Sequence, residues 1–380
     1  MSKKTRTILL IVLAILLVAE LAYLGIKHLG SNPAETEGPT EIATEAPTEA
    51  PTEAPTEAPT EAPTEAPTEA PAEALYQNPL TGEAMTEPLT TRIFAVTINN
   101  VPKALPHVGT TQADILFEMY INDYATRCLA LFSDITQVET IGSVRSMRYN
   151  FTDIGIAYDA FVANAGGSDQ VLRDANKSDV DYFNIDTSKS TSYSFRDETR
   201  HSSGYSWEHC LFAKGAGLYA KAEEMGYKVT QDAGKTYGLN FAEDGTPADG
   251  ETANKIEILM KHDGHTKQPT MTYDEATGKY IYTQYGTTAD EVAAEDRETF
   301  ENVFIMMARV YNDEVYHVAD LDGSGEGYYA CNGKIIPIQW HHENAADPFT
   351  FTLADGTPLE QGIGTSYIAI APLKSEISWE

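Results

Sequence analysis

Basic side chains are scarce in this chain of 380 residues: 26 lysines and arginines stand against 57 aspartates and glutamates, a formal charge of -31. So acidic a chain repels phosphate backbones, most strongly at low salt, which disfavours sequence-independent nucleic-acid binding as a function. Cysteine is rarer still, limited to Cys128, Cys210 and Cys331. An odd set permits at most one bridge within the chain, so no disulfide framework holds it together and three buried thiols are the simpler expectation. Gly-x-Ser-x-Gly, His-Glu-x-x-His and Cys-x-x-Cys do not occur. The sequence signatures of a nucleophile elbow, a zinc-protease helix and a dithiol redox pair are therefore missing. Gly323-Ser-Gly-Glu-Gly lacks the Lys-Ser/Thr that completes a phosphate loop and reads as a turn. His341 and His342 diverge if they lie on a strand, and His262-Asp-Gly-His265 reads as a polar turn, so neither a metal nor a cofactor is expected.

One long apolar run is present, Ile8 to Ile26, with Glu20 as its single charge. At about 1.5 Å of rise per residue it is long enough to cross a hydrocarbon core. Lys3, Lys4 and Arg6 precede it, which predicts a cytoplasmic N-terminus and everything beyond Gly30 outside the membrane. A cleaved signal peptide is the competing reading; the length of the run and the lack of a small-x-small cleavage site favour a retained anchor over residues 1–30. From Thr44 the chain repeats Thr-Glu-Ala-Pro to Pro71. Proline at every fourth residue forbids a continuous helix and the glutamates repel one another, so residues 31–75 read as a disordered linker. Extended as polyproline II, it would reach on the order of 100 Å.

Folded sequence begins near Asn78. Arg92 to Asn100 is a β-branched and aromatic run that predicts a buried strand, and 114–121 with 124–132 predicts a hairpin around Asn122-Asp123. With that loop Glu118 faces Arg127, either as a structural ion pair or as one wall of a site. The stretch Ile141 to Gly167 places Arg145 and Arg148 three residues apart before a helix-like run, 151–158, and then an apolar strand that ends at Asn164-Ala-Gly-Gly. Cations at a helix start beside a glycine-rich strand end suit an anionic or carbonyl-bearing ligand; arginines paired with nearby carboxylates are the plain alternative. Helices are expected at 168–175, capped by Ser168 or Asp169, and at 215–228. His209 and Cys210 are adjacent and cannot form a dyad with each other on a strand. The turn-rich stretch 230–252 marks a boundary, and beyond it short strands with hairpin turns at Asn332-Gly333 and Asp355-Gly356 predict an antiparallel β domain.

The blocks NPLTG at 78–82, AVTINNVPKALPHVG at 95–109, QADILFE at 112–118, TRCLALF at 126–132, IGSVRSMR at 141–148 and NAGGS at 164–168 resemble the YerB-like family of bacterial envelope lipoproteins. GSGEGYY at 323–329 and the tail from Trp340 through Asp347-Pro348 are similar to that family's C-terminal domain. The resemblance covers most of 78–372 and implies an α/β N-terminal domain and a mainly β C-terminal domain, with no established reaction. The chain departs from the family in having no lipobox cysteine.

The expected fold is therefore α+β: an N-terminal α/β domain with a mixed sheet over 76–235 and a mainly antiparallel β domain over 250–380, behind a membrane helix and a linker. The expected function is binding, without catalysis, of a cell-envelope component, an anionic ligand or a protein, at a site formed by Arg145, Arg148, Glu118, Arg127, Asn164 and His209. Two rivals stand beside it. One is a cell-wall hydrolase or transferase with His209 as general base, oriented by Asp197 or Glu118. The other is a scaffold that docks partner proteins through the β domain.

Overall fold

The strand predicted near residues 92–100 forms as β1 (Phe94–Asn100), and all seven of its residues are buried. β-branched and aromatic side chains suit a position covered on both faces. The computed structural model in which it is seen describes residues 76–122, 125–313 and 316–380. The expected membrane helix and repeat linker lie outside the described residues. Among the described residues, no helix is long and apolar enough to cross a membrane.

β1 belongs to an eleven-stranded mixed sheet. Its other strands, in chain order, are β2 (Ile115–Asn122), β3 (Ala125–Phe132), β4 (Phe161–Asn164), β5 (Asp181–Asn184), β6 (Glu251–Thr252), β7 (Asn302–Ala308), β8 (Gly323–Cys331), β9 (Lys334–His342), β10 (Thr350–Thr352) and β11 (Ser366–Pro372). The spatial order is β6-β9-β8-β7-β11-β2-β3-β1-β4-β5, with β10 paired to β9. β11 runs parallel to both β7 and β2, which makes one sheet of the segments on either side of the predicted boundary at 235–250. A second sheet, built from Lys255–His262, His265–Lys267, Thr270–Asp274, Lys279–Thr283, Thr299–Phe300 and Glu376–Trp379, is antiparallel throughout. Strands outnumber helices, as expected of the β-rich half.

The main sheet has a different partner on each face. On one side Leu116, Cys128, Ala130 and Tyr367 pack with Ile256, Ile258 and Tyr280 of the second sheet, and with Leu218 and Ala222 of the helix Gly215–Glu224. On the other, Ala95, Phe117, Leu129 and Val162 pack against Phe151, Ile154 and Tyr158 at the helix α1 (Tyr149–Ala157). A second helix, α2 (Asp169–Ala175), begins at Ser168, whose hydroxyl accepts from Val171 N at 3.3 Å. That is the expected cap, satisfying a donor that a helix start leaves free. The Asn332-Gly333 turn joins β8 to β9 with φ of 49° and 70°, values that asparagine and glycine tolerate.

The hairpin corrects one expectation. β2 and β3 pair Glu118 with Cys128 and Met119 with Arg127, one residue away from the predicted register. The pairing shifts between Tyr120 and Asn122, and a one-residue slip sends each side chain to the opposite face. Glu118 and Arg127 therefore lie on opposite sides of the sheet and do not pair.

Residues 143–147 occupy the groove that opens where β4 ends. Arg145 N donates to Thr97 O (3.0 Å), Asn99 N to Ser143 O (2.9 Å), Ala165 N to Arg145 O (2.8 Å) and Met147 N to Gly166 O (2.8 Å). The segment is thus stitched to β1 on one side and to the end of β4 on the other. Gly142 lets the chain enter, with φ of 153° and a position at which a Cβ would sit 2.9 Å from the Phe212 ring and 3.0 Å from Leu211 O. Gly142→Ala should cost roughly 1–3 kcal/mol of stability, read as a lowered urea midpoint; an unchanged midpoint would show that the entry can relax.

Candidate functional site

The strands β1, β4 and β5 run parallel; β4 and β5 finish level with each other at Asn164 and Asn184, while β1 continues beyond its last pairing with β4, Val96 with Ala163, to Asn100. Crevices beyond the carboxyl ends of such strands are the usual ligand sites of open sheets. Here the crevice receives the 143–147 segment and the first turn of α1. Asn184 Oδ1 accepts from Gly166 N (2.9 Å), and Asn164 Nδ2 donates to Gly166 O (2.6 Å), so two strand-end amides hold the glycine turn. Asn164 is fully buried and its Oδ1 has no partner.

Arg127, near the start of β3, is on the same face as Asn99 and Met119, and its Nη1 donates to Ser146 O at 2.7 Å. Arg148 precedes α1; its Nη1 donates to Met147 O at 2.6 Å and its guanidinium lies 4.1 Å from the centre of the Tyr316 ring. Both are at least nine-tenths buried. Among the described residues neither meets a carboxylate, and the Nε of each is buried without a hydrogen-bond partner. Arg145 is more exposed and its Nη2 pairs with Glu208 at 2.8 Å, although its Nε too lacks a partner. Burial, then the charges of Arg148 and Arg145, push the Arg127 guanidinium well below its ordinary range. Arg148 is lowered to about 10, first by burial and then by Arg145, with Tyr316 opposing. Three like charges are thus held together at a cost.

His209 reaches the same end of the sheet. Asn99 Nδ2 meets its Nδ1 at 2.8 Å, and an amide can only donate there, which leaves the proton on Nε2, 3.6 Å from Glu208 Oε1. Burial holds the imidazole below its usual value, and Arg145 and Arg200 push the same way against Glu208. The acids named as its orienting partners do not reach it. Asp197 caps the short helix Glu198–Ser202 by accepting from Arg200 N at 2.9 Å, and Glu118 is on the far face.

Glu118, expected in this site, is instead the centre of a second polar cluster. It is fully buried; Oε1 accepts from Thr126 (2.6 Å) and Asn100 (2.9 Å), and Oε2 from the hydroxyls of Tyr282 and Tyr367 (2.7 Å each). Lys267 Nζ is 3.5 Å from Oε1, donates to Gln284 and lies 3.7 Å from the centre of the Tyr285 ring. Burial raises the Glu118 carboxyl, but Lys267 and the three hydroxyls outweigh it, and the net direction is down. His107 and Glu298 pair nearby at 3.1 Å. Sequence reading missed Lys267, His107 and Glu298, because nothing in their local spacing ties them to residues some 150 positions away.

Of the six residues expected to form one site, the structure brings Arg127, Arg145, Arg148, Asn164 and His209 to one end of the sheet, on the α1 face, and separates Glu118 from them. The cysteines Cys128, Cys210 and Cys331 are free and buried.

The architecture defines an α+β protein in which two sequence blocks complete one sheet and Arg127, Arg145 and Arg148 gather at one end of it. Residues 80–228 match the family described as "Protein of unknown function (DUF3048) N-terminal domain", and 258–368 match the corresponding C-terminal domain. The chain belongs to this YerB-like two-domain family of unknown function. The Bacillus subtilis (strain 168) protein named "Putative lipoprotein YerB" is 28% identical over 306 residues, 77% of this chain and 86% of that protein. The crystal structure of the YerB protein from Bacillus subtilis is similar with a TM-score of 0.66 at 25% identity, covering 80% of this chain and 99% of that one.

Proposed function

We propose that the chain is a membrane-tethered, extracytoplasmic binding protein that holds an anionic cell-envelope ligand at the Arg127, Arg145 and Arg148 crevice without acting on it chemically. The observation that carries this reading is the pair of buried guanidiniums, Arg127 and Arg148, that no carboxylate of the described residues neutralises. Buried charge is tolerated when it is paired, and an unopposed pair is a place prepared for an external anion. The tether is supported by the basic residues ahead of the 8–26 run and by the name of the Bacillus subtilis relative. Catalysis by His209 is less well supported, because Asp197 and Glu118 are committed elsewhere and Asn99 occupies its Nδ1.

The test is co-sedimentation of the full-length protein with washed cell-envelope fragments at low and high salt. Retention should fall as salt rises, and Arg145→Gln with Arg148→Gln should remove most of it while the melting temperature stays within a few degrees of wild type. Undiminished retention by a folded double variant would refute the proposal.

A further inference from the structure

We infer that the group bound in the arginine crevice is a phosphoryl dianion, a phosphomonoester rather than a carboxylate; this rests on the anion-binding reading above and narrows it. The vacant donors have a shape that fits such a group. Arg127 and Arg148 each spend Nη1 on a backbone carbonyl, Ser146 O and Met147 O; among the described residues the Nε of each is buried without a partner and its Nη2 makes no hydrogen bond. Those two nitrogens form the side-on fork of a guanidinium, which takes two oxygens of one anion in its plane. Two open forks, with the Nε of Arg145 as a further donor, exceed what the two coplanar oxygens of a carboxylate accept comfortably. A phosphoryl group offers three terminal oxygens in a tetrahedral array, which donors on separate chain segments can approach from different sides.

Charge points the same way. Three guanidiniums less the one paired with Glu208 leave two positive charges unmatched, and His209 is held towards its neutral form. A phosphomonoester carries about -1.5 to -2 near neutral pH. An acceptor also stands vacant beside the arginines. Asn164 Nδ2 must be its bonded nitrogen because it meets a carbonyl, so the vacant, buried atom is the oxygen. A hydroxyl neighbouring the phosphoryl group supplies the donor that this oxygen lacks.

Inorganic phosphate, sulfate, acetate and malonate titrated into the full-length protein by calorimetry test the inference. Phosphate should bind at least roughly tenfold more tightly than acetate or malonate, and its affinity should rise roughly tenfold from about pH 5 to about pH 7 as its second proton leaves, while that of sulfate stays flat. Sulfate is dianionic throughout, so a parallel rise for both would show that the gain does not come from the second proton of phosphate and would overturn the dianion inference. Arg148→Gln, or the more exposed Arg145→Gln where the first does not fold, should weaken phosphate by at least about tenfold. Malonate binding as tightly as phosphate, and lost in the same variants, overturns the phosphoryl class and leaves the anion site standing. Binding of none of the four overturns both.

Discussion

Lys267→Met should lower the unfolding free energy by about 3–5 kcal/mol, because it leaves the Glu118 carboxylate in the interior without its counter-charge. Glu118 is fully buried and Lys267 is nearly so, and their partners come from both halves of the chain: Asn100 and Thr126 from one, Tyr282, Gln284 and Tyr367 from the other. The cluster therefore holds the second sheet against the main sheet at the strand, β11, that joins the two sequence blocks. Adding Glu118→Gln to Lys267→Met should recover part of the loss, since a neutral amide oxygen still accepts from the tyrosines and carries no charge to desolvate. Urea unfolding of wild type, both single variants and the double variant gives the coupling; a loss below about 1 kcal/mol for Lys267→Met would show that water reaches Glu118. The pH dependence follows from the direction of the Glu118 shift. Its folded value lies below its unfolded one, so the stabilisation is fully present above the ordinary glutamate range and fades as pH falls through the folded value. Wild type should lose stability on acidification more steeply than Glu118→Gln.

Local pattern was enough to place β1, α1, α2, the helix Gly215–Glu224 and the Asn332-Gly333 hairpin, because each is encoded within a dozen neighbouring residues. The arginine cluster was legible for a similar reason: Arg145, Arg148 and Asn164 flank one helix and one strand. What escaped was set by longer reach. The shift between Tyr120 and Asn122 displaces the hairpin by one residue, and that single slip moved Glu118 from the arginine face to the tyrosine face. The parallel pairing of β11 with β2 joins residues 366–370 to 115–119, and parallel partners carry no turn between them to announce the match. Lys267 reads locally as one more polar loop residue beside His265; only the packed second sheet turns it inward.

The same register explains why Arg127 is costly, and from that cost comes the last expected result. On the α1 face it meets Asn99 and two other guanidiniums instead of a carboxylate, so in the unliganded protein its charge is desolvated and repelled. Replacing buried ionic groups by well-packed apolar residues of similar volume is often neutral or stabilising, by up to about 1–4 kcal/mol for a buried pair or triad. Arg127→Met should accordingly melt at a higher temperature than wild type in anion-free buffer, since among the described residues the one hydrogen bond its side chain gives up is to the backbone carbonyl of Ser146, a half-buried residue. Added phosphate should reverse the order: wild type gains stability with concentration by mass action, roughly 2.7 kcal/mol at a hundredfold excess over the dissociation constant, and the variant gains little. Scanning calorimetry of both proteins across a phosphate series measures the crossing. A variant less stable than wild type without any anion would mean that Arg127 is a structural donor; a crossing would mean that the folded state gives up stability to keep a charged crevice open for its ligand.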